Sequence, residues 1–162
     1  MDALRNQNIL VLGLGNTLLA DDGVGVHVVR RLRADAQIPP WLRAVDGGTM
    51  GFRLTGLLGD EAGVLIIDAA DFAAAPGSMR LLGAENLAAH IATGTRTSAH
   101  EAGLVDLLAL LRLQDCAPRH LAVLAIQPGR VDWGEVLSAE VANAVGPACA
   151  LAKTTVSAWW RG

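Results

Sequence analysis

Apolar residues fall along this chain in two rhythms. Short continuous runs bounded by glycine or acid mark strands buried on both faces, and rows at three- and four-residue spacing mark amphipathic helices. The segment Ile9 to Arg33, ILVLGLGNTLLADDGVGVHVVRRLR, shows both in succession. Ile9, Leu10, Val11, Leu12 and Leu14 surround Gly13 and lead into Gly15-Asn16. A short loop ends in Asp21-Asp22-Gly23, and Val24, Val28 and Leu32 then recur at helical spacing. Arg30, Arg31 and Arg33 close the segment, so acids start the helix and bases end it, as the helix dipole favours. A strand, a glycine loop and a helix are expected, with two carboxylates at the crossover.

The same pattern organises the rest of the chain. After a turn at Ile38-Pro39-Pro40, Leu42 to Val45 is a short strand candidate ending in Asp46-Gly47-Gly48-Thr49. Phe52 to Leu58 reads as a brief helix, broken by Gly59-Asp60. Val64 to Ile67 is the clearest second core strand and runs into Asp68-Ala69-Ala70-Asp71. Pro76-Gly77 is a turn, and Ser78 to Leu82 fits an edge strand. The run from Gly83 to Thr97 fits a loop or a short helix. Ser98 and Glu101 form a capping box ahead of a helix with Leu104, Leu107, Leu108 and Leu111 on one face. His120 to Ile126 is a further core strand, ended by Gln127-Pro128-Gly129. Ser138 starts a last helical region towards Trp160, with a break or kink at Gly146-Pro147. No repeat or linker divides residues 1–162, so one domain is expected.

Strands alternating with helices predict an α/β fold, a three-layer sandwich around a mostly parallel sheet. In such a sheet, helix N-termini and strand C-termini share one edge, where ligands bind. The polar groups delivered to that edge are Asn16, Asp21, Asp22, Asp46, Asp68, Asp71 and His100. Asp22 has an ordinary explanation as a helix cap. For Asp68, a cap of the next turn and a functional carboxylate are equally compatible with the spacing. His100 falls in the first turn of its helix, where the dipole keeps imidazole neutral and able to bind metal. Taken together, Asp22, Asp68 and His100 make a mixed oxygen and nitrogen site suited to nickel, zinc or a similar divalent ion. His27 lies one position before the apolar row of its helix, on the side expected towards solvent, and His90 and His120 have no such neighbours.

Composition narrows the classes. A net charge of −3, with no Tyr, two Phe and four Trp, argues against a nucleic-acid partner. No apolar run reaches the roughly 18–20 residues of a membrane span, and the N-terminus lacks signal-peptide features. A cytoplasmic protein is expected, without a membrane partner, and as a monomer. Cys116 and Cys149 have no metal-ligand spacing and are expected as reduced, partly buried thiols. A dinucleotide site is disfavoured: Leu18 stands where the third fingerprint glycine belongs, and two acids at a helix start repel a pyrophosphate. There is no GxSxG nucleophile elbow, and neither Cys has a neighbouring His. Trp159 and Trp160 fit either core packing or an exposed patch.

The stretches GLGNTLLADDGVGVHVVRRL, DGGTMGFRLTGLL, LIIDAADFAAAPGSMRLL, TSAHEAGLVDLLALL and IQPGRVDWGEVLSAEV, in that order, resemble the hydrogenase maturation proteases. The resemblance spans most of the chain. It implies a twisted, mainly parallel five-stranded sheet and a metal-dependent, aspartyl-type processing endopeptidase. Such an enzyme removes a C-terminal peptide from the large-subunit precursor of a nickel–iron hydrogenase after nickel insertion. By position, Asp22, Asp68 and His100 are the implied ligands of a nickel that the precursor brings, and zinc or cadmium could take its place in a crystal. The resemblance leaves the proton-transfer group open, with Asp22 and Asp68 as candidates. Asn16, Asp46, Gly47, Gly48 and Asp71 are candidates for the substrate cleft, although Asp46–Thr49 is equally a plain tight turn. The alternative function is a non-catalytic metallochaperone or metal-sensing module in hydrogenase assembly.

Overall fold

The computed structural model describes residues 8–49, 58, 61–83, 85–86 and 118–162. The expected Phe52–Leu58 helix (apart from Leu58), nearly all of Gly83–Thr97, the helix after Ser98, and His90, His100 and Cys116 lie outside the described residues. Among the described residues there are five strands: β1 (Ile9–Leu14), β2 (Leu42–Gly48), β3 (Gly63–Ala69), β4 (Met79–Gly83) and β5 (His120–Ile126). A 3-10 turn, Ala20–Gly23, leads into α1 (Val24–Arg33), and α2 (Ala139–Arg161) closes the chain.

The sheet order is β2-β1-β3-β5-β4. All pairs are parallel except that of β4, the expected edge strand, with β5. Because β1 lies between β2 and β3, the chain moves outward from β1 in one direction and then in the other. That reversal opens a crevice beyond the C-terminal ends of β1 and β3, the place where open α/β sheets bind ligands.

Alternation along the strands divides the core. Ile9, Val11, Leu65, Ile67, Leu124 and Ile126 face α1 and α2. Leu10, Leu12, Leu14, Val64, Ile66 and Val123 are buried on the opposite face, where Leu58 packs. No described helix is long and apolar enough to cross a membrane.

Two expected boundaries move. β2 continues through Asp46-Gly47-Gly48, where a turn was expected, because Gly13 and Leu14 of β1 pair with Asp46 and Gly48 across a bulge. β3 likewise includes Asp68, which lies opposite Ala125 of β5. At Gly146-Pro147 the helical run continues without a break. Proline removes one donor from the helix, and the carbonyl it leaves open belongs to exposed Asn143. Trp159 packs against the core, and Trp160 stacks on a neighbour while staying 37% exposed. Trp160 stacks on Trp41 at 4.8 Å, and Trp159 stacks on His120 at 5.5 Å and covers Gly63.

The seam between α1 and the sheet is set by missing side chains. A Cβ on Gly25 would stand 2.1 Å from the Ile67 carbonyl oxygen and 2.5 Å from that of Leu14. A Cβ on Gly13 would stand 2.2 Å from the Gly25 carbonyl oxygen. Every blocking atom named is backbone, so no rotamer change relieves the clash. Gly25→Ala is expected to lower unfolding free energy by about 3 kcal/mol in urea titrations. Gly83→Ala, where a Cβ meets nothing within 4 Å, should stay within about 0.5 kcal/mol of the parent.

Candidate active site

The crevice is built from both of its flanking strands. β1 ends at Leu14, and the chain turns at Gly15 with φ +134°. A Cβ on Gly15 would fall 1.9 Å from the Asp22 carbonyl oxygen, so the strand exit and the 3-10 turn touch backbone to backbone. The backbone N–H of Asn16 donates to Asp22 Oδ2 at 2.9 Å and holds that carboxylate in place. The 3-10 turn also packs against β3, whose C-terminal end carries Asp68. Asp22 and Asp68 are 5% and 4% exposed. Two carboxylates from distant parts of the chain are thus buried at one crevice.

The helix-cap explanation of Asp22 fails. Gly23 is the N-cap of α1 and Leu19 that of the 3-10 turn, and neither has a side-chain capping bond. Asp22 instead serves the strand-exit loop through Asn16, whose own Oδ1 accepts the Leu18 N–H at 2.9 Å.

Asp21, the other member of the acid pair, was placed at this edge by the sequence without a role of its own, and it is wholly buried. Its Oδ2 accepts the N–H groups of Gly129 at 2.9 Å and Arg130 at 2.7 Å and the Ser138 hydroxyl at 2.7 Å. Its Oδ1 accepts the Ser138 N–H at 2.6 Å. One carboxylate therefore fastens the loop between β5 and α2 to the start of α1. Burial by itself raises the Asp21 pKa. The backbone N–H of Arg130, the N–H and hydroxyl of Ser138, and the N–H of Gly129 outweigh it, and the carboxyl ends below its ordinary value. Ser138 does start the last helix, but its hydroxyl serves Asp21 rather than its own helix. Ala20, just before, is held at φ +49° by its N–H bond to the Gly134 carbonyl. A non-glycine residue there costs about 1–2 kcal/mol, which the surrounding bonds must offset.

The remaining predicted residues have separate tasks. Asp46 pairs with Arg30 at 3.0 Å, and its Oδ1 accepts the Gly48 N–H at 3.1 Å, the geometry of a tight turn braced by a partly exposed ion pair. Gly47 lies over the Leu12 and Leu14 side chains. Asp71 lies beyond the end of β3 and is exposed. Its Oδ1 accepts the Ala73 N–H at 3.0 Å and Gln127 Nε2 at 3.2 Å. Those two bonds lower its pKa. Buried Gln127 also accepts the Phe72 N–H at 2.8 Å and so orders the segment after Asp68. His27, expected on the solvent side, is half-buried, and burial followed by the nearby Arg30 charge lowers its pKa. Cys149 is a free, buried thiol that donates to the Val28 carbonyl at 3.6 Å, and burial pushes its pKa up. Among the described residues, no three His, Cys, Asp or Glu side chains group as metal ligands. The expected third donor, His100, lies outside them.

The family model described as hydrogenase maturation protease matches residues 26–155. The chain belongs to that family. It is 33% identical over 141 residues to the Hydrogenase 2 maturation protease of Escherichia coli, covering 86% of this chain and 85% of that one. It is 32% identical over 160 residues to the hydrogenase expression/formation protein HupD of Rhodobacter capsulatus, covering 98% of this chain and 76% of that one. Its fold is similar to that of the hydrogenase maturating endopeptidase HybD from E. coli, with a TM-score of 0.84, 31% identity and coverage of 93% and 92% of the two chains. The similarity extends to the Thermococcus kodakarensis HybD protease, with a TM-score of 0.80, 29% identity and coverage of 92% and 99%. This maturation protease is therefore a hydrolase, which sets aside the non-catalytic module.

The Asp21 clamp yields the first test of the site. Asp21→Ala strands buried donors and is expected to cost about 2–4 kcal/mol in urea unfolding. Because the folded pKa lies below the ordinary 3.8, the contribution of Asp21 is complete above that value and is lost as pH falls through the folded pKa. Unfolding curves collected between neutral and strongly acid pH should show the gap between parent and Asp21→Ala narrowing only on the acid side of that value.

Proposed function

We propose that this protease removes a C-terminal peptide from the nickel-loaded large-subunit precursor of a nickel–iron hydrogenase, and that the nickel is its recognition element. The observation that carries the reading is the burial of Asp22 and Asp68 together at the crevice between β1 and β3. A protein that removes carboxylates from water must compensate them with hydrogen bonds or positive charge, and a divalent cation arriving with the substrate supplies the latter. Membership of the family supports the substrate class.

In this reading Asp22, Asp68 and His100 hold the precursor's nickel, and zinc or cadmium suits the same donors. The metal belongs to the substrate, so docking it brings the scissile peptide to the crevice. Holding the bond there converts a search by diffusion into a local step. One of the two carboxylates then accepts a proton from the water that attacks the scissile carbonyl. The carbon–nitrogen bond breaks, and the amine leaves with the proton returned to it. Asn16 fixes Asp22 through its backbone N–H. Asp46, Gly47 and Gly48 are the last residues of β2, beside the same edge.

Incubation with nickel-loaded and nickel-free precursor, followed by mass spectrometry, tests this. Loss of a C-terminal peptide from the nickel-loaded form alone is expected. Tight binding with no mass loss overturns the cleavage, and equal cutting of both forms overturns nickel recognition. Within the acidic segment after β3, Asp68→Asn should slow processing at least about 100-fold, and Asp71→Asn far less. The reverse order would transfer the role to Asp71. His100→Ala should weaken nickel binding in calorimetry while leaving the melting temperature nearly unchanged. Loss of folding would make His100 structural.

A further inference from the structure

The loop between β5 and α2 carries an apolar surface that its own fold leaves uncovered. Trp133 is 76% exposed, Val136 73% and Val131 55%, and Leu18 of the neighbouring strand-exit loop is 48% exposed. Scattered apolar residues on a surface are ordinary, but these four share one backbone framework. The Gly134 N–H donates to the Leu18 carbonyl at 2.9 Å, and Leu19 bridges to Gly134. Arg130 accepts the Asp21 N–H on its carbonyl at 3.0 Å, and the Asp21 carboxylate clamps both ends of the loop. The backbone that displays Trp133 is therefore fixed before any partner arrives, which lowers the entropy cost of binding.

The charges around this surface select its partner. Asp132 and Glu135 alternate with the apolar residues and are exposed. Arg130, the single cation of the loop, is exposed, and its guanidinium is engaged locally, with Nη2 donating to the Val136 carbonyl at 3.2 Å. With two exposed carboxylates to one guanidinium that is already hydrogen-bonded within the loop, the border of the apolar surface is net acidic and complements apolar side chains flanked by lysine or arginine. Its position links it to the crevice: the loop leaves the C-terminal end of β5, and its clamp, Asp21, directly precedes Asp22.

We infer that Leu18, Val131, Trp133 and Val136 form the docking surface for a segment of the precursor polypeptide in which apolar residues are flanked by basic ones. The inference rests on the proposed substrate. Docking here is separate from recognition of the metal and gives the enzyme a second hold on the protein whose bond it cuts.

Processing kinetics and binding titrations with the nickel-loaded precursor test it on the full-length enzyme. Trp133→Ala should raise KM and the dissociation constant about 10- to 30-fold and leave kcat within about twofold of the parent. Asp132→Lys combined with Glu135→Lys should weaken binding and flatten its salt dependence. An unchanged melting temperature is expected for each variant, because the side chains are exposed. KM and binding within about twofold of the parent for Trp133→Ala overturn the inference, as does a change confined to kcat. If sedimentation shows the parent to be a dimer and Trp133→Ala a monomer, the surface is an interface between copies and the inference is also overturned. If the parent binds precursor without cutting it, the proposed cleavage fails, and the titration of Trp133→Ala still decides the docking surface. A parent that does not bind precursor overturns both.

Discussion

Backbone contact without side chains, between the first turn of α1 and the ends of β1 and β3, is the constraint on which the remaining geometry depends. Gly25 touches the carbonyls of Leu14 and Ile67, and Gly13 lets the Gly25 carbonyl approach in turn. Helix and sheet normally keep a layer of side chains between them. Removing that layer here draws the start of α1 over the crevice and takes the 3-10 turn with it. Asp22 rides on that turn and Asp68 on the strand beneath. The approach of the two elements that carry these carboxylates is therefore set by glycines. The glycine-rich exit resembles a nucleotide loop only in composition, since its glycines are filled by protein backbone.

The paired acids show how one local sequence divides two tasks. Asp21 and Asp22 are adjacent, and both are almost completely buried. Asp21 spends its carboxylate on four donors from a loop more than a hundred residues away, so its charge is compensated by protein. Asp22 faces the strand exit, where Asn16 orients it. The first acid makes the framework rigid enough for the second to be placed. Such rigidity is what a site needs if its geometry is to be ready before the substrate binds.

Much of this was legible from the pattern of residues. All five strands, the first helix and the last helix follow from apolar periodicity and turn residues, while the antiparallel direction of β4 does not. The errors have physical causes. Asp46-Gly47-Gly48 and Asp68 read as strand ends because Asp and Gly are disfavoured in strands, yet pairing with β1 and β5 carries both strands onward. The placement of Asp22 and Asp68 at one edge followed from the alternation of strands and helices, whereas their near-complete burial did not. The clamping role of Asp21 did not emerge, because its partners, Gly129, Arg130 and Ser138, leave no local signature. The only hint was that a helix start needs one acid and the chain supplies two. The packing of Trp159 and Trp160 was likewise beyond local pattern, since Trp41 and His120 approach them only in the folded sheet.

The last helix joins these observations. α2 begins at the Asp21 clamp and ends among the aromatic stacks. At 1.5 Å per residue its 23 residues span about 34 Å, enough to run the full length of the sheet. Its far end seals the N-terminal edge of the strands with rings, where Trp159 lies over Gly63 and His120. Its near end is tied by hydrogen bonds rather than buried in rings. The two edges are thus held by different physics. The first relies on stacked aromatic rings. The other relies on directed polar contacts, which fix the backbone while leaving a crevice and an apolar loop open to a partner. Stability drawn from one edge lets the other carry buried charge and exposed tryptophan, two features that a globule optimised for stability alone would discard.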